Sequence, residues 1–202
     1  MKKKVTLYSL DEKSYPNIEI EVEVIEDTAK VIEQISEGQP VSAIKKAVVQ
    51  ARPAKAGELV DTRPRVEVEG KVYTFSETKR IVTEKEEKNG AMIVVNPDGE
   101  EYVINTAEKF NAKYEQTSKG YVAIDGAKLF VRSNGNYIIR TSWGEEQIVL
   151  KGSYFCVQDK SDIYGITNTA FEGTYTTDTN QIKLVEKLME DIKTTRTEGC
   201  TI

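Results

Sequence analysis

The sequence predicts an α+β fold dominated by antiparallel sheet. Three observations carry that prediction. Ten Tyr residues stand in a chain of 202, and aromatic side chains suit a pleated, half-buried surface. The run "NIEIEVEVI" alternates strictly between apolar and acidic residues, the signature of a strand with one wet face. A longer pattern occurs twice: "GAMIVVNPDGEEYVINTAEKFNAKYE" at 90–115 and "GSYFCVQDKSDIYGITNTAFEGTYT" at 152–176. With 39% hydrophobic and 30% charged residues, the composition is that of a folded globular chain.

Residues 4–10 and 17–25 read as the two strands of a β-hairpin, with Pro16 closing the turn-like "DEKSYPN". Glu19, Glu21 and Glu23 then share the solvated face. Residues 28–37 read as a helix capped by Asp27, with Val31, Ile32 and Ile35 as its apolar stripe, and "SEGQP" ends it. Residues 41–51 fit either a second helix from near Pro40 or a strand through Ala47 to Val49. The connector "RPAKAGELVDTRP" carries Pro53, Gly57 and Pro64 without periodicity, which places a boundary there.

Two β-units follow. "RVEVEGKVYTF" and "YVAIDGAKLFV" each place an acidic residue and Gly where a tight hairpin turn needs positive φ, at Glu69-Gly70 and Asp125-Gly126. Each unit closes on the doubled pattern. Gly90 matches Gly152, Tyr102 matches Tyr164 and Ile104 matches Ile166. Ala107, Phe110 and Tyr114 match Ala170, Phe171 and Tyr175. The Phe-x-x-x-Tyr spacing puts both rings on one face of a helical turn. The second unit inserts "RSNGNYIIR", whose Asn134-Gly135 pair suggests one further hairpin. Ile182, Val185, Leu188, Met189 and Ile192 follow helical spacing, and "TTRTEGCTI" reads as a frayed end. The expected organisation is therefore 1–60 hairpin and helix, 61–117 first β-unit, 118–178 second β-unit, and 179–202 terminal helix and tail. Small sheets bury too little surface to be robust alone, so two side by side share a core.

Composition narrows the chemistry. The chain has no His. That excludes Ser–His–Asp and Cys–His catalysis within one chain and the usual catalytic zinc sets. A net charge of −5 with signs intermixed offers no basic patch for nucleic acid. The longest apolar run, "AMIVV", is far short of a membrane span. Cys156 and Cys200 form neither a disulfide framework nor a metal pattern, which points to a reducing cytoplasm. Pro97-Asp98-Gly99 is turn chemistry rather than a metal loop, and Asp61, Arg63 and Arg65 read as surface ion-pairing groups. No phosphate loop is present. Acidic residues fall on strand faces and turns rather than converging, so the expectation is a non-catalytic protein with no cofactor. The candidate contact residues are Tyr137, Arg140 and Trp143, because Tyr, Arg and Trp dominate binding hot spots.

Gly90 to Val95, Gly99, Tyr102, Phe110 and Tyr114, with Gly152, Tyr154, Tyr164, Phe171 and Tyr175, give the chain a family likeness. It resembles a group of small uncharacterised phage and prophage proteins that carry a Gly-aromatic-apolar strand, Gly-x-x-Tyr and a Phe-x-x-x-Tyr ending. The second copy departs at the turn, with "DKSD" for "NPDG". The resemblance covers about half the chain and implies a viral or mobile-element origin and, for function, a host protein bound and inhibited. It carries no catalytic residue. The alternatives are a small-ligand or nucleotide binder, using Tyr137, Arg140 and Trp143, and a virion or assembly component, which requires a stable homo-oligomer.

Overall fold

The computed structural model describes residues 1–10, 14–76, 79–96, 99–142 and 144–198. Strands β1 (Lys2–Ser9) and β2 (Ile18–Ile25) form the expected hairpin. Lys2, Lys4 and Thr6 oppose Glu23, Glu21 and Glu19 on the wet face, while Val5 and Leu7 oppose Ile20 and Ile18 on the other. Helix α1 (Thr28–Ile35) starts at Asp27, whose carboxylate accepts from the Lys30 N–H at 3.3 Å. The chain then enters β3 (Ser36–Lys45) directly, so "SEGQP" is strand rather than loop. Pro40 is accommodated because the pairing of β3 shifts between Val41 and Glu37; Pro lacks a ladder donor and is tolerated at bulges. Residues 41–45 are therefore strand, and the chain leaves the ladder at Lys46–Val48.

Next come β4 (Gln50–Pro53), β5 (Leu59–Val60), β6 (Val66–Val68), β7 (Lys71–Thr74) and β8 (Arg80–Ile81). Helix α2 (Glu84–Lys88) has a reciprocal cap: Thr83 Oγ1 accepts from Glu86 N–H and Glu86 Oε2 accepts from Thr83 N–H. The first doubled pattern forms β9 (Met92–Val95), β10 (Glu101–Ile104), α3 (Ala107–Lys113) and β11 (Tyr114–Thr117). Strands β12 (Gly120–Ala123), β13 (Lys128–Ser133), β14 (Tyr137–Arg140) and β15 (Glu146–Val149) follow. The second pattern forms β16 (Tyr154–Cys156), β17 (Tyr164–Ile166), α4 (Asn168–Thr174) and β18 (Tyr175–Thr176), and α5 (Thr179–Glu198) ends the described chain. The fold is α+β, β-rich and mostly antiparallel.

Apart from the separate two-stranded ribbon β5–β8, the strands gather into three bodies. The first is a six-stranded sheet in the order β15-β14-β2-β1-β7-β6. Leu7, Val22, Val66, Tyr73, Ile138 and Ile148, one from each strand, form a single buried cluster. The sheet is curled, because its two edge strands, β6 and β15, line one cavity. Among the described residues only β14 against β2 is parallel. The opposite side of β14 and β15 packs Tyr137, Ile139 and Val149 against Ile32 and Ile35 of α1 and Phe155 of β16.

The other two bodies are the doubled units. Strands β10, β9 and β4 form one ladder and β11 and β12 another. Val49 and Tyr121 join them, exchanging N–H donors and carbonyl acceptors at 2.9 and 2.8 Å. The composite order β10-β9-β4-β12-β11 matches the second sheet, β17-β16-β13-β3-β18. In each, a hairpin is followed by a threonine-capped seven-residue helix and a tyrosine that starts the last strand. Thr106 accepts from Lys109 N–H and Thr167 from Ala170 N–H, both at 3.2 Å. Phe110 stacks on Tyr114 with centroids 5.3 Å apart, and Phe171 on Tyr175 at 5.5 Å.

Matching the sheets strand by strand shows an exchange. Tyr114 pairs with Ala123 of β12, and Tyr175 pairs with Lys45 of β3. Ile124 N–H donates to Lys113 O, and Lys46 N–H to Thr174 O, each at 2.8 Å. So β3-β4 corresponds to β12-β13, and each pair is split between sheets. β3 completes the second sheet and β12 completes the first. The units are two, as expected, but the strands do not follow the segments 1–60, 61–117 and 118–178.

Two expected hairpins are corrected by this exchange. Glu69 (φ 50) and Gly70 (φ 74) do turn β6 into β7. Asp125-Gly126, by contrast, carries the chain from β12 in one sheet to β13 in the other. Asn134-Gly135 likewise passes from β13 to β14, which belong to different sheets. Ile182, Val185 and Met189 of α5 pack against Ile44, Ile124 and Ala127. The helix runs on to Glu198, so the expected fraying does not begin at Thr194. The side chains of Val31, Leu188 and Ile192 lie outside the described part, as do Pro97, Asp98 and Cys200.

Candidate functional site

Tyr137 and Arg140 do not share one face of β14. Along β14 the side chains alternate, so Tyr137 and Arg140 point to opposite faces. Tyr137 is buried in the cluster with Ile32 and Phe155, and its hydroxyl donates to Asn134 Oδ1 at 2.6 Å. Arg140 is exposed opposite Glu146 and donates to the Gly144 carbonyl. Trp143 lies outside the described residues.

The two sheets meet instead at a buried polar seam. Tyr102 of β10 and Tyr114 share a hydrogen bond between their hydroxyls. Lys45, at the end of the exchanged strand β3, reaches both. Its Nζ donates to Tyr114 at 3.1 Å, to Tyr102 at 3.5 Å and to Asn96 Oδ1 at 3.3 Å. The ammonium also lies 5.6–5.7 Å from both ring centroids, where the ring quadrupole attracts it. In the second unit Tyr164 and Tyr175 share the equivalent hydrogen bond, and Tyr164 also bonds Cys156. There the charged neighbour is Asp125, which follows the other exchanged strand and forms an ion pair with Lys128 at 2.7 Å.

Electrostatics follows from this placement. Burial holds Tyr102 far above its ordinary 10, and Tyr114 beside it adds to the shift. Burial does the same for Tyr164 and Tyr175, with Asp125 contributing to both. The hydroxyls of Tyr102, Tyr164 and Tyr175 therefore stay protonated at neutral pH and act as hydrogen-bonding groups. Burial opposes the Lys128 charge, but Asp125 outweighs it and raises the group. The seam's chemistry is the fixing of one sheet against the other, since each of these polar groups is committed to a neighbour.

The surface carries two further features. Leu59 and Ile81 face each other directly on the β5–β8 ribbon and are 56% and 61% exposed. Arg52 pairs with Glu58 at 2.5 Å and with Glu101 at 3.2 Å beside them, and Arg80 pairs with Glu86. Asp61 binds Arg63 at 2.7 Å as the sequence suggests, and Arg63 holds its carboxyl down to about 2. Among the described residues no group of three or more Cys, Asp or Glu is placed to hold a metal, and no helix is long and apolar enough to cross a membrane.

Sequence reading missed Lys45, Asp125 and the Leu59–Ile81 pair. Lys45 sits in a segment whose type was ambiguous, and its partners lie 51 to 69 residues away. The cross-strand meeting of Leu59 and Ile81 joins two two-residue strands, too short for periodicity to reveal. No protein-family model, no curated protein and no solved structure matches the chain.

Proposed function

We propose that the protein acts by binding another protein rather than by catalysis, and that the β5–β8 ribbon makes the contact. The observation that supports this is the directly opposed, exposed Leu59–Ile81 pair. Single exposed apolar residues are ordinary. Two in register, rimmed by ion pairs of Arg52 with Glu58 and Arg80 with Glu86, form an apolar centre with a polar rim, which is how protein interfaces are built. The resemblance to phage proteins directs the search to a bacterial host protein in the cytoplasm, with inhibition as the consequence of binding.

The test is affinity capture from bacterial lysate with the wild-type chain and with the double variant Leu59→Asp, Ile81→Asp. A protein retained by the first and lost by the second is the expected result. Capture of the same proteins by both, or of none, overturns the reading. Light scattering on the purified chain separates the assembly-component alternative, which requires a stable oligomer.

A further inference from the structure

We propose that Lys45 and Asn96 join as an intramolecular isopeptide bond, with Glu100 carrying the protons. The backbone sets the three groups. Asn96 directly follows β9 and Glu100 directly precedes β10, so they stand at the two ends of one hairpin loop. The Asn96 N–H donates to the Glu100 carbonyl at 2.9 Å, and Glu100 Oε2 accepts from Asn96 Nδ2 at 3.5 Å. Lys45 arrives from the other sheet, at the end of β3, and its Nζ donates to Asn96 Oδ1 at 3.3 Å. All three residues are half-buried. A carboxamide thus lies between an amine that can attack it and a carboxylate that can take and return protons.

The groups that accept from Lys45 are an amide and two phenol hydroxyls, not carboxylates. Held this close, the amine needs only a small shift to reach Cγ, one bond beyond Oδ1. Reacting groups fixed at contact behave as though at very high concentration. Lys45 passes one proton to the Glu100 carboxylate, and the neutral Nζ adds to Asn96 Cγ. The new C–N bond forms and the Cγ–Nδ2 bond breaks. Nδ2 leaves with one proton from Nζ and one from Glu100. An ammonium and a primary amide thereby become a secondary amide and a free ammonium ion. No oxidant or reductant is needed, and Glu100 is restored as the carboxylate. The reaction occurs once per molecule and is not turnover. Until the bond forms, the seam is held by hydrogen bonds alone. Once formed, it ties residues 51 positions apart and staples the exchanged strand β3 to the first sheet. The matching station on β12 is Ala123, since Tyr114 pairs with Ala123 as Tyr175 pairs with Lys45. One bond per chain is therefore expected.

The experiment is intact-mass spectrometry of the purified full chain during incubation at neutral pH, followed by tryptic peptide mapping under denaturing conditions. The expected wild-type product is lighter by one ammonia and yields a branched peptide joining Lys45 to Asn96. Cyclisation at Asn89-Gly90 or Asn134-Gly135 also expels ammonia, but it yields no branched peptide and is indifferent to residue 45. Lys45→Arg keeps the charge and should give no branched product. Glu100→Gln should slow bond formation by about a hundredfold or more, the contribution of a positioned acid–base group. The branched peptide is read on the wild-type chain, so the test stands even where a variant fails to fold. Absence of that peptide from the wild type, or an unchanged rate in Glu100→Gln, overturns the proposal. Its failure leaves the Leu59–Ile81 reading untouched, because the two rest on different residues.

Discussion

The ammonium of Lys45 lies 3.1 Å from the hydroxyl of Tyr114, although the backbone of Lys45 pairs with Tyr175 in the other sheet. One residue thus serves both units: its main chain closes the second and its side chain satisfies the first. Replacing it with Met keeps the aliphatic stem and removes the donor that both hydroxyls accept from, leaving them only each other. Lys45→Met should cost about 1–3 kcal/mol, read from urea denaturation. A double-mutant cycle with Tyr114→Phe should show a coupling of at least about 0.5 kcal/mol. Additive losses would mean that the contact does not hold the seam.

Alkaline pH should unfasten the same seam. The folded tyrosines keep their protons above the value of 10 at which they ionise in the unfolded chain. Their contribution is therefore fully present below pH 10 and is lost as pH climbs from 10 toward the folded values. Melting temperature measured from pH 8 to 11.5 should fall steeply above 10. Tyr102→Phe should flatten that fall while lowering the plateau below it. A pH profile unchanged by the substitution would contradict the buried placement.

Phe110 and Phe171 occupy equivalent stations, each four residues after a capping threonine and stacked on a tyrosine. Each ring also meets an edge-on aromatic, Tyr121 for Phe110 and Phe130 for Phe171, at 5.0 Å. Either Phe→Ala change should cost about 3–5 kcal/mol. The two losses, measured by chemical denaturation, should agree within about 1 kcal/mol. A large effect at one position and a negligible one at the other would break the equivalence.

Gly165 lies so close to β15 that an added Cβ would stand 2.3 Å from Val149 Cγ2. Gly165→Ala should destabilise by about 1–3 kcal/mol through overpacking. Val149→Ala added to it should recover part of that loss, although alone it opens a cavity. Thermal melts of the three variants decide the matter; a tolerated Gly165→Ala would show that β17 sits farther from β15.

Features with local causes were legible in the sequence. The period-two run of β2, the Asp27 cap of α1 and the apolar spacing of α5 each state their structure within ten residues. So does the Phe-x-x-x-Tyr recurrence, although its helices align on Thr106 and Thr167 rather than on Ala107 and Ala170. The threonine four residues before each phenylalanine was the available signal. What local reading could not supply was partner choice. Asp125-Gly126 and Asn134-Gly135 are good turn residues, and the chain does turn there. A turn, however, says only that direction changes, not that the flanking strands pair. The exchange is decided by which apolar faces β3 and β12 bury, and those faces are completed by residues far along the chain. Tyr137 misled for a related reason. Aromatic character marks both contacts and cores, and only the neighbouring Ile32 and Phe155 settle which applies.

The exchange of β3 and β12 also bears on how the chain is made. A nascent chain emerging from the ribosome holds β4, β9, β10 and β11 before β12 exists, and β3 must stay unpartnered until β13 and β18 arrive. The first sheet can close once β12 emerges, whereas the second waits for strands on both sides of it, so the earlier strand β3 is held open while a whole sheet forms between it and its partners, and no single cut of the polypeptide would cleanly separate the two.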